Sequence, residues 1–199
     1  MKNLVVPGEM VSDKPYRGDG VFTENGKTFS AVVGMADDGR LIPLKGPYFP
    51  KRGDYVIGVV KDEGFYGWMV DLHAPFAGKI SARETREKFS LGDVISAKVM
   101  EVDEVGEALL GGARKFFEGE VLEIGAMKVP RVIGKNGSMI SLIKQHTGTD
   151  VFVGQNGRIY LKGGNTALAV MAILKISQEA HVAGLTDRIA AFLEKSALK

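Results

Sequence analysis

Cysteine is absent from this sequence of 199 residues, and histidine occurs only three times. The lack of cysteine excludes disulfides, thiolate zinc sites, iron–sulfur clusters and cysteine nucleophiles. His73, His146 and His181 are far apart, without the short spacings that place two ligands on one metal ion. A site built from carboxylates alone stays open, but no carboxylate cluster accompanies a phosphate-binding loop. We therefore expect no metal ion, no cofactor and no catalytic residue.

Long apolar runs are also missing. No stretch approaches the roughly 20 apolar residues that are needed to cross a bilayer. The amino-terminal run Leu4–Val6 is too short for the apolar part of a signal peptide. The hydrophobic fraction of 45% and the charged fraction of 25% are those of a folded, soluble protein. These features predict a cytoplasmic protein that has no contact with a membrane.

The net charge of +2 is small but unevenly distributed. Residues 1–113 hold 14 Lys and Arg against 17 Asp and Glu, a net of −3. Residues 114–199 hold 12 against 7, a net of +5. Because basic residues attract the phosphates of nucleic acids, this predicts that contact with a polyanion is strongest in the carboxyl-terminal part. A difference of this size also arises by ordinary scatter, so the motifs must decide.

Gly and Pro separate short apolar runs throughout the first part of the chain. Short alternating runs with turn residues between them are typical of strands in small β domains. The predicted strands include residues 28–33, 55–60, 68–72 and 94–99. The run Pro47–Gly53 would interrupt any regular element, so we place a boundary there. We predict a mostly β protein with domains at 1–52, 53–113 and 114–199, the last an α+β domain with a terminal helix.

The carboxyl-terminal part alternates between the two kinds of element. Strands are predicted at 119–124, 150–153 and 158–162, and helices at 138–146, 165–181 and 185–198. Asn156-Gly157 favours a hairpin turn whose two central residues have positive φ. Asn165 or Thr166 would cap the long helix, and Gly148 would end the preceding one in the left-handed conformation. This order of elements, in about this length, is that of a small RNA-binding module.

The turn Gly134-Lys135-Asn136-Gly137 lies between the first strand of this module and the helix after it. A Gly-x-x-Gly turn with apolar residues before it and a helix after it is the signature of a KH domain, whose order is β-α-α-β-β-α. Glycines without Cβ let a nucleic-acid backbone approach the main chain. The helix offers unpaired N–H groups to phosphate. The predicted RNA contacts are Arg131, Gly134, Lys135, Asn136, Gly137 and Ser138.

The turn has two other interpretations. Gly-Lys-Asn-Gly-Ser resembles part of a Walker A motif, but the longer Gly-x-x-x-x-Gly-Lys-Ser/Thr loop of that motif is absent. The glycines could also serve only to make a tight turn before a helix. Under the KH interpretation, we expect Gly134→Asp with Gly137→Asp to weaken RNA binding while the fold stays intact.

Residues 53–113 resemble an S1-type OB barrel, because of the segments Gly53–Val60, Gly67–Leu72 and Gly92–Val99. Such barrels bind single strands by stacking bases on aromatic rings in a basic groove. The candidate contacts here are Phe65, Tyr66, Trp68, Lys79 and Lys98. Alternate residues of a strand face inward, so one or two of the aromatics are expected in the core. S1 domains carry a histidine near the position of Lys79, so this sequence favours phosphate contact over base stacking.

Nearly the whole chain resembles the RNA-binding cap subunits of the archaeal exosome. The resemblance is carried by Arg17–Gly20, Ile42–Gly46, Lys128–Gly134, Val153–Ile159 and Glu179–Arg188. It implies three copies on a hexameric ring of RNase PH-like proteins, held mainly by the amino-terminal domain. The copies would guide single-stranded RNA to the pore for 3′-to-5′ degradation, with catalysis left to the ring. It also implies that Gly154–Gly157 is structural and packs the KH domain onto its neighbour.

Two rival functions stay open. The chain could itself be a nuclease or a fragment of a phosphorolytic enzyme, although three binding-sized modules leave no room for a catalytic core. It could instead be a stand-alone S1/KH factor of translation or transcription. The paired carboxylates Asp62-Glu63 and Asp103-Glu104 are expected in solvated hairpin turns, and His181 at a helix end. Arg83, Arg86 and Lys88 are expected in an exposed loop or helical turn that could line a path for RNA.

Overall fold

The computed structural model describes residues 3–16, 18, 20–44, 46–179 and 184–197. The chain forms two compact units, residues 1–47 and 48–199. The domain boundaries predicted from the sequence remain predictions. Arg17, Asp19, Lys45 and His181, which the sequence analysis singled out, lie outside the described residues. None of the helices within the described ranges is both long and apolar enough to cross a membrane.

The first unit contains two three-stranded antiparallel sheets. Its strands are β1 (Asn3–Val5), β2 (Met10–Ser12), β3 (Val21–Glu24), β4 (Lys27–Ser30), β5 (Gly34–Asp37) and β6 (Arg40–Pro43). The sheet orders are β1-β5-β6 and β2-β4-β3. Asn25-Gly26 and Asp38-Gly39 make the two tight hairpins, and all four residues have φ between 49° and 74°, as such turns require. The strand predicted at 28–33 is shorter and ends at Ser30.

Five strands of the second unit close into a barrel in the order β10-β11-β9-β8-β7. They are β7 (Tyr55–Gly64), β8 (Gly67–Asp71), β9 (Gly78–Ser81), β10 (Val94–Val102) and β11 (Ala108–Lys115). Alternate residues face inward, and Val56, Val70, Ile95 and Leu110 are fully buried. β9 and β11 pair in parallel, and the other pairs are antiparallel. This closed barrel is the architecture expected of an OB-type domain.

β11 contains a bulge that the sequence did not predict. Ser96 of β10 pairs with Arg114 and Lys98 pairs with Gly111, so one residue of β10 lies opposite two residues of β11. Gly112 takes up the extra length with a left-handed φ of 60°, the conformation that glycine adopts without strain. Gly111 and Gly112 are therefore part of the barrel strand β11 and lie on the outer surface of the barrel.

The remaining elements form the α+β part. They are β12 (Glu120–Glu123), α1 (Val129–Ile133), α2 (Ser138–Thr147), β13 (Asp150–Val153), β14 (Arg158–Lys162), α3 (Thr166–Gln178) and α4 (Leu185–Ala197). The sheet has the antiparallel order β12-β14-β13. Its fully buried core comes from both strands and helices, including Ile143, Ile159, Leu161, Ile173, Ile189 and Leu193. The β-α-α-β-β-α order of a KH domain is confirmed.

The ends of the helices follow local chemistry. The Asn165 side chain accepts a hydrogen bond from the Leu168 amide at 3.0 Å, so it caps α3 as predicted. Gly148 ends α2 with φ of 64°, also as predicted. α3 itself ends at Gln178, three residues earlier than the predicted 181. The short helix α1 buries Val129 and Val132 on one face, but its five residues are too few to establish a helical period in the sequence.

Candidate nucleic-acid interface

The Gly134–Gly137 turn is exposed at the start of α2. The side chains of Lys135 and Asn136 reach solvent, as do those of Arg131 and Ser138. The Gly137 amide donates to the Gly134 carbonyl at 3.2 Å, which closes the turn. Asn136 and Gly137 are left-handed, with φ of 52° and 77°. The turn therefore presents bare main chain and one exposed lysine at the N-terminus of a helix, an arrangement that suits phosphate binding.

Gly134 is fixed at this position by two constraints. Its φ of 74° with ψ of 173° is accessible essentially only to glycine. A Cβ there would also lie 2.7 Å from both the amide nitrogen and the Cβ of Met139. The expectation that aspartate at Gly134 would leave the fold intact is therefore wrong. At Gly137, a Cβ would meet nothing closer than Ile140 at 3.8 Å, so only the backbone conformation opposes a side chain.

An apolar groove of about 310 Å³ lies beside this turn. It is lined by Ala126, Val129, Pro130, Ile133, Gly134 and Gln155. One wall is therefore α1 and the other is the loop between β13 and β14. A groove lined mainly by apolar side chains, beside a Gly-x-x-Gly turn, suits unstacked bases whose phosphates lie along the turn.

Phe65 and Tyr66 form the tip of the β7–β8 hairpin and are the most exposed aromatics of the barrel. Their exposed fractions are 94% and 79%, and their rings meet edge to face at 5.2 Å between centroids. A groove of about 430 Å³ runs from these rings past Met69, Lys79 and Leu109. Exposed rings beside an apolar groove provide a surface for stacking bases. Met69 and Leu109 were missed in the sequence because they are ordinary outward-facing strand residues.

Trp68 does not belong to this exposed set. It is only 8% exposed, and its indole N–H donates to the Phe89 carbonyl at 2.8 Å. Its ring packs edge to face against the buried ring of Phe89 at 5.3 Å. Trp68 is therefore a core residue, and we withdraw it from the candidate RNA contacts. It is one of the inward-facing aromatics that strand alternation led us to expect.

The two candidate lysines of the barrel have different surroundings. Lys79 lines the groove of Phe65 and Tyr66 but forms an ion pair with Glu107, which raises the pKa of Lys79. Lys98 lies elsewhere, with its ammonium 5.5 Å from the centroid of the Tyr55 ring. Much of the Lys79 charge is already neutralised by Glu107, so Lys79 has less free charge to offer a phosphate.

The Gly154–Gly157 loop joins the α+β part to the barrel. Asn156 is fully buried, and its carboxamide exchanges three hydrogen bonds with the barrel backbone. Its Oδ1 accepts from the Ile57 amide at 3.2 Å, and its Nδ2 donates to the carbonyls of Ile57 and Leu72 at 2.7 and 2.9 Å. The hairpin is present as predicted, but only Gly157 has positive φ, at 85°, and Asn156 does not. This loop is thus structural, as the resemblance implied.

Arg158 extends the same junction with three hydrogen bonds, two to carboxylates and one to a backbone carbonyl. Its guanidinium donates to the Asp71 carboxylate and the Asp71 carbonyl, each at 2.6 Å, and to Glu123 at 2.8 Å. Burial alone would raise the pKa of Asp71, but the hydrogen bond and charge of Arg158 hold that pKa below its usual value. An arginine that is nearly buried in this way serves packing of the two parts and not RNA.

The remaining polar candidates are turn and loop residues. Asp103 accepts hydrogen bonds from the amides of Val105 and Glu107 within the β10–β11 turn. Asp62 and Glu63 lie at the exposed end of β7, beside the turn Phe65–Tyr66. Arg83, Arg86 and Lys88 are exposed in the loop between β9 and β10, as expected. None of these observations groups the carboxylates into a catalytic pair.

The first unit carries two rows of apolar side chains that no sequence pattern indicated. Across the sheet β1-β5-β6, Leu4 lies opposite Met35 and Met35 opposite Ile42. Across the other sheet the corresponding row is Met10, Phe29 and Phe22, with the two phenylalanine rings stacked at 5.6 Å. The outer members of both rows are exposed. Contiguous exposed apolar rows are typical of surfaces that bind another protein.

Comparison with known proteins agrees with this geometry. The KH domain family model matches residues 119–178. Exosome complex component Rrp4 of Pyrococcus abyssi is 42% identical over 96% of this chain and 82% of its own length. The Methanobrevibacter smithii protein of the same name is 43% identical over 94% of this chain and 70% of its own. A crystal structure named for an exosome complex RNA-binding protein has a TM-score of 0.69 and 36% identity, covering 75% of this chain and 97% of that one.

Proposed function

This chain belongs to the Rrp4 family of exosome complex components, and we propose that it is the non-catalytic, RNA-binding subunit of such a complex. It caps a ring of RNase PH-like proteins, with three copies per complex, in the cytoplasm. It guides single-stranded RNA to the pore of the ring, where 3′-to-5′ degradation takes place. The domains are 1–52 for docking on the ring, 53–113 as the S1-type barrel and 114–199 as the KH domain.

The exposed Gly134–Gly137 turn carries this proposal. Its two glycines adopt backbone conformations that other residues avoid, and the side chains of Lys135 and Asn136 between them are exposed. A turn that only reversed the chain could be built from many residue pairs. Glycines that leave the main chain open beside an exposed lysine suit a site where a nucleic-acid backbone approaches closely. The neighbouring apolar groove gives that molecule space for its bases.

The barrel adds a second contact along the strand. Phe65 and Tyr66 offer exposed rings, and Lys79 lies at the edge of their groove. Base stacking on aromatic rings is tolerant of sequence, which suits a subunit that delivers many RNAs to one degrading enzyme. Lys98 and the turn residues Arg131, Lys135, Asn136 and Ser138 supply the polar contacts to the backbone.

The apolar rows of the first unit support docking on a protein ring. Leu4 and Ile42 are 65% and 46% exposed, and Met10 and Phe22 are 49% and 43% exposed. Side chains of this size on the outer face of short strands have no role in the core of the unit. Burial of such rows against partner subunits would contribute about 25 cal/mol per Å² of apolar surface to docking.

Binding of a fluorescein-labelled oligoadenylate at fixed salt tests the RNA function. Lys135→Glu should weaken binding at least fivefold at 0.1 M salt, because each phosphate contact to a single strand contributes a slope of about 0.7 in log K against log salt. Lys195→Glu, which makes the same charge change on the exposed face of α4, is the matched control. Equal affinity of the two variants would reject the role of the turn.

A stand-alone S1/KH factor is the second candidate. Its RNA-binding surfaces would be the same, so oligonucleotide binding cannot separate the two. Purification of the native complex can do so. Co-purification with RNase PH-like proteins supports the exosome cap, whereas co-purification with ribosomes or RNA polymerase would support the other function. Degradation of RNA by the purified chain alone would contradict the non-catalytic assignment.

A further inference from the structure

Five cations lie on the strands of the barrel, and their pairing divides them into two groups. Lys61 pairs with Asp71 at 3.6 Å, Lys115 pairs with Asp93 at 2.6 Å, and Lys79 pairs with Glu107. Lys98 and Arg114 have no carboxylate within ion-pair distance among residues 46–179, all of which the structure describes. The barrel therefore has two strand cations that are free to meet an external anion.

Both free cations line one groove. This second groove, of about 320 Å³, is formed by Tyr55, Lys98, Met100, Arg114 and Phe152 around the two glycines of the β11 bulge. No acidic residue lines it. By contrast, the groove of Phe65 and Tyr66 contains Asp62 together with the ion-paired Lys79. The positive charge available for phosphate on the barrel is thus concentrated away from the Phe65–Tyr66 tip.

The second groove also offers a surface for a base. Tyr55 is 52% exposed, and its ring lies directly across the β7–β10 pairing from Lys98. The ammonium of Lys98 is 5.5 Å from the ring centroid, and a flexible lysine can move from the ring to a phosphate at low cost. Aromatic rings with adjacent cations are what single-strand binding surfaces combine.

The floor of the groove is open because side chains are missing there. Gly111 lies opposite Lys98, and a Cβ on it would come within 2.7 Å of Met100. Gly112 faces open space in a left-handed conformation. Phe152, from β13 of the KH part, forms the far wall. The volume is at the lower end of the range for small-ligand sites, which suits one nucleotide better than a folded partner.

We propose that the Tyr55–Lys98–Arg114 groove binds one nucleotide unit of single-stranded RNA at the junction of barrel and KH domain, with the base on Tyr55 and phosphates on Lys98 and Arg114. This inference rests on the proposed RNA-binding function and adds a site to it. The groove lies on the outer face of β10 and β11 and shares Phe152 with the KH sheet. An RNA strand held there would contact both the barrel and the KH domain.

The test uses the full chain with labelled oligoadenylate and oligouridylate over a range of salt. Lys98→Gln with Arg114→Gln should weaken binding about 25-fold at 0.1 M salt and lower the salt slope by about 1.4, the values for two phosphate contacts. Lys61→Gln with Lys115→Gln removes the same charge from ion-paired positions and should bind like the wild type. Tyr55→Leu should weaken binding about fivefold or more, whereas Tyr55→Phe should not, because it keeps the stacking ring.

Cross-linking to an oligonucleotide containing 4-thiouridine gives a second measurement that does not depend on variants. We expect the label on peptides that contain Tyr55 or Phe152. If Lys98→Gln with Arg114→Gln matches its control in affinity and slope while Lys135→Glu binds weakly, the second groove is refuted and the RNA function stands. If the wild-type chain binds neither oligonucleotide, the proposed function itself fails.

Discussion

Replacing Asn156 with alanine should destabilise the second unit far more than the loss of one surface amide would. The carboxamide is fully buried, and its three hydrogen bonds all go to barrel backbone groups. Alanine would leave the Ile57 amide and the carbonyls of Ile57 and Leu72 without these partners. At about 1 kcal/mol per hydrogen bond, with a further cost for buried unsatisfied groups, we expect a loss of about 3–5 kcal/mol in the free energy of unfolding.

Urea denaturation measures this loss with two signals. Trp68, the only tryptophan, reports on the barrel core through its fluorescence. Far-ultraviolet circular dichroism reports mainly on the helices of the KH part. Because the lost bonds join these two parts, both transitions should move to lower urea. In a thermal scan the same loss corresponds to a fall of roughly 6–20 °C in Tm for a unit of this size.

Gln155→Ala is the matched control. Gln155 is in the same loop with an exposed side chain, and its contact with the barrel is the bond from its backbone amide to the Tyr55 carbonyl at 2.8 Å, which alanine keeps. Its effect should stay within about 0.5 kcal/mol. Asn156→Asp, which keeps the shape but replaces the donor, should destabilise at least as much as alanine. If Asn156→Ala were as stable as Gln155→Ala, packing alone would hold the junction and our reasoning would be refuted.

Two further changes test the junction and the first unit. The pKa of Asp71 is lowered in the folded state, so its ion pair with Arg158 stabilises the fold above the unfolded pKa of about 3.9, and this stabilisation is lost as pH falls through the folded pKa. The difference in unfolding free energy between wild type and Asp71→Asn should therefore shrink from pH 7 to pH 3. A constant difference would contradict the role of this ion pair. Leu4→Ser with Ile42→Ser should leave Tm unchanged but reduce co-purification of RNase PH-like proteins. Leu91→Ser with Val105→Ser, at sites outside the first unit that are at least as exposed, should change neither Tm nor co-purification. Equal capture by both double variants would rule out the Leu4–Ile42 row as the docking surface.

The sequence predicted features that depend on neighbouring residues, such as turns and helix ends, but not hydrogen bonds between residues far apart in the chain. The Gly134–Gly137 turn, the Asn165 cap and the Gly148 helix end each depend on a few adjacent residues, and all have the predicted geometry. At Asn156-Gly157 the same local rule predicted positive φ at both residues and was wrong for Asn156. There the side chain bonds to Ile57 and Leu72, which are 99 and 84 residues away, and these bonds override the usual turn preference.

Side-chain charge shows the same limit at the candidate site. Lys79 and Lys98 look equivalent in the sequence, as single lysines on outward-facing strand positions. Glu107, which is 28 residues away in the sequence, neutralises Lys79, whereas no carboxylate among residues 46–179 neutralises Lys98. Arg114 was not singled out, because the bulge at Gly112 that brings it to the same groove as Lys98 is set by strand register. The summed charge of a segment therefore gives little guidance to where phosphate can bind.

The loop that joins barrel and KH domain also shapes the second groove. The Gln155 amide bonds to the carbonyl of Tyr55, and Asn156 bonds to both backbone groups of Ile57, so the loop fixes the start of β7, which carries the Tyr55 ring. β13, which leads into this loop, carries Phe152 on the opposite wall. The distance between the two rings is thus set by buried contacts that RNA never touches. Asn156→Ala should consequently weaken oligonucleotide binding at temperatures where it remains folded, and wild-type affinity of the folded variant would contradict this coupling.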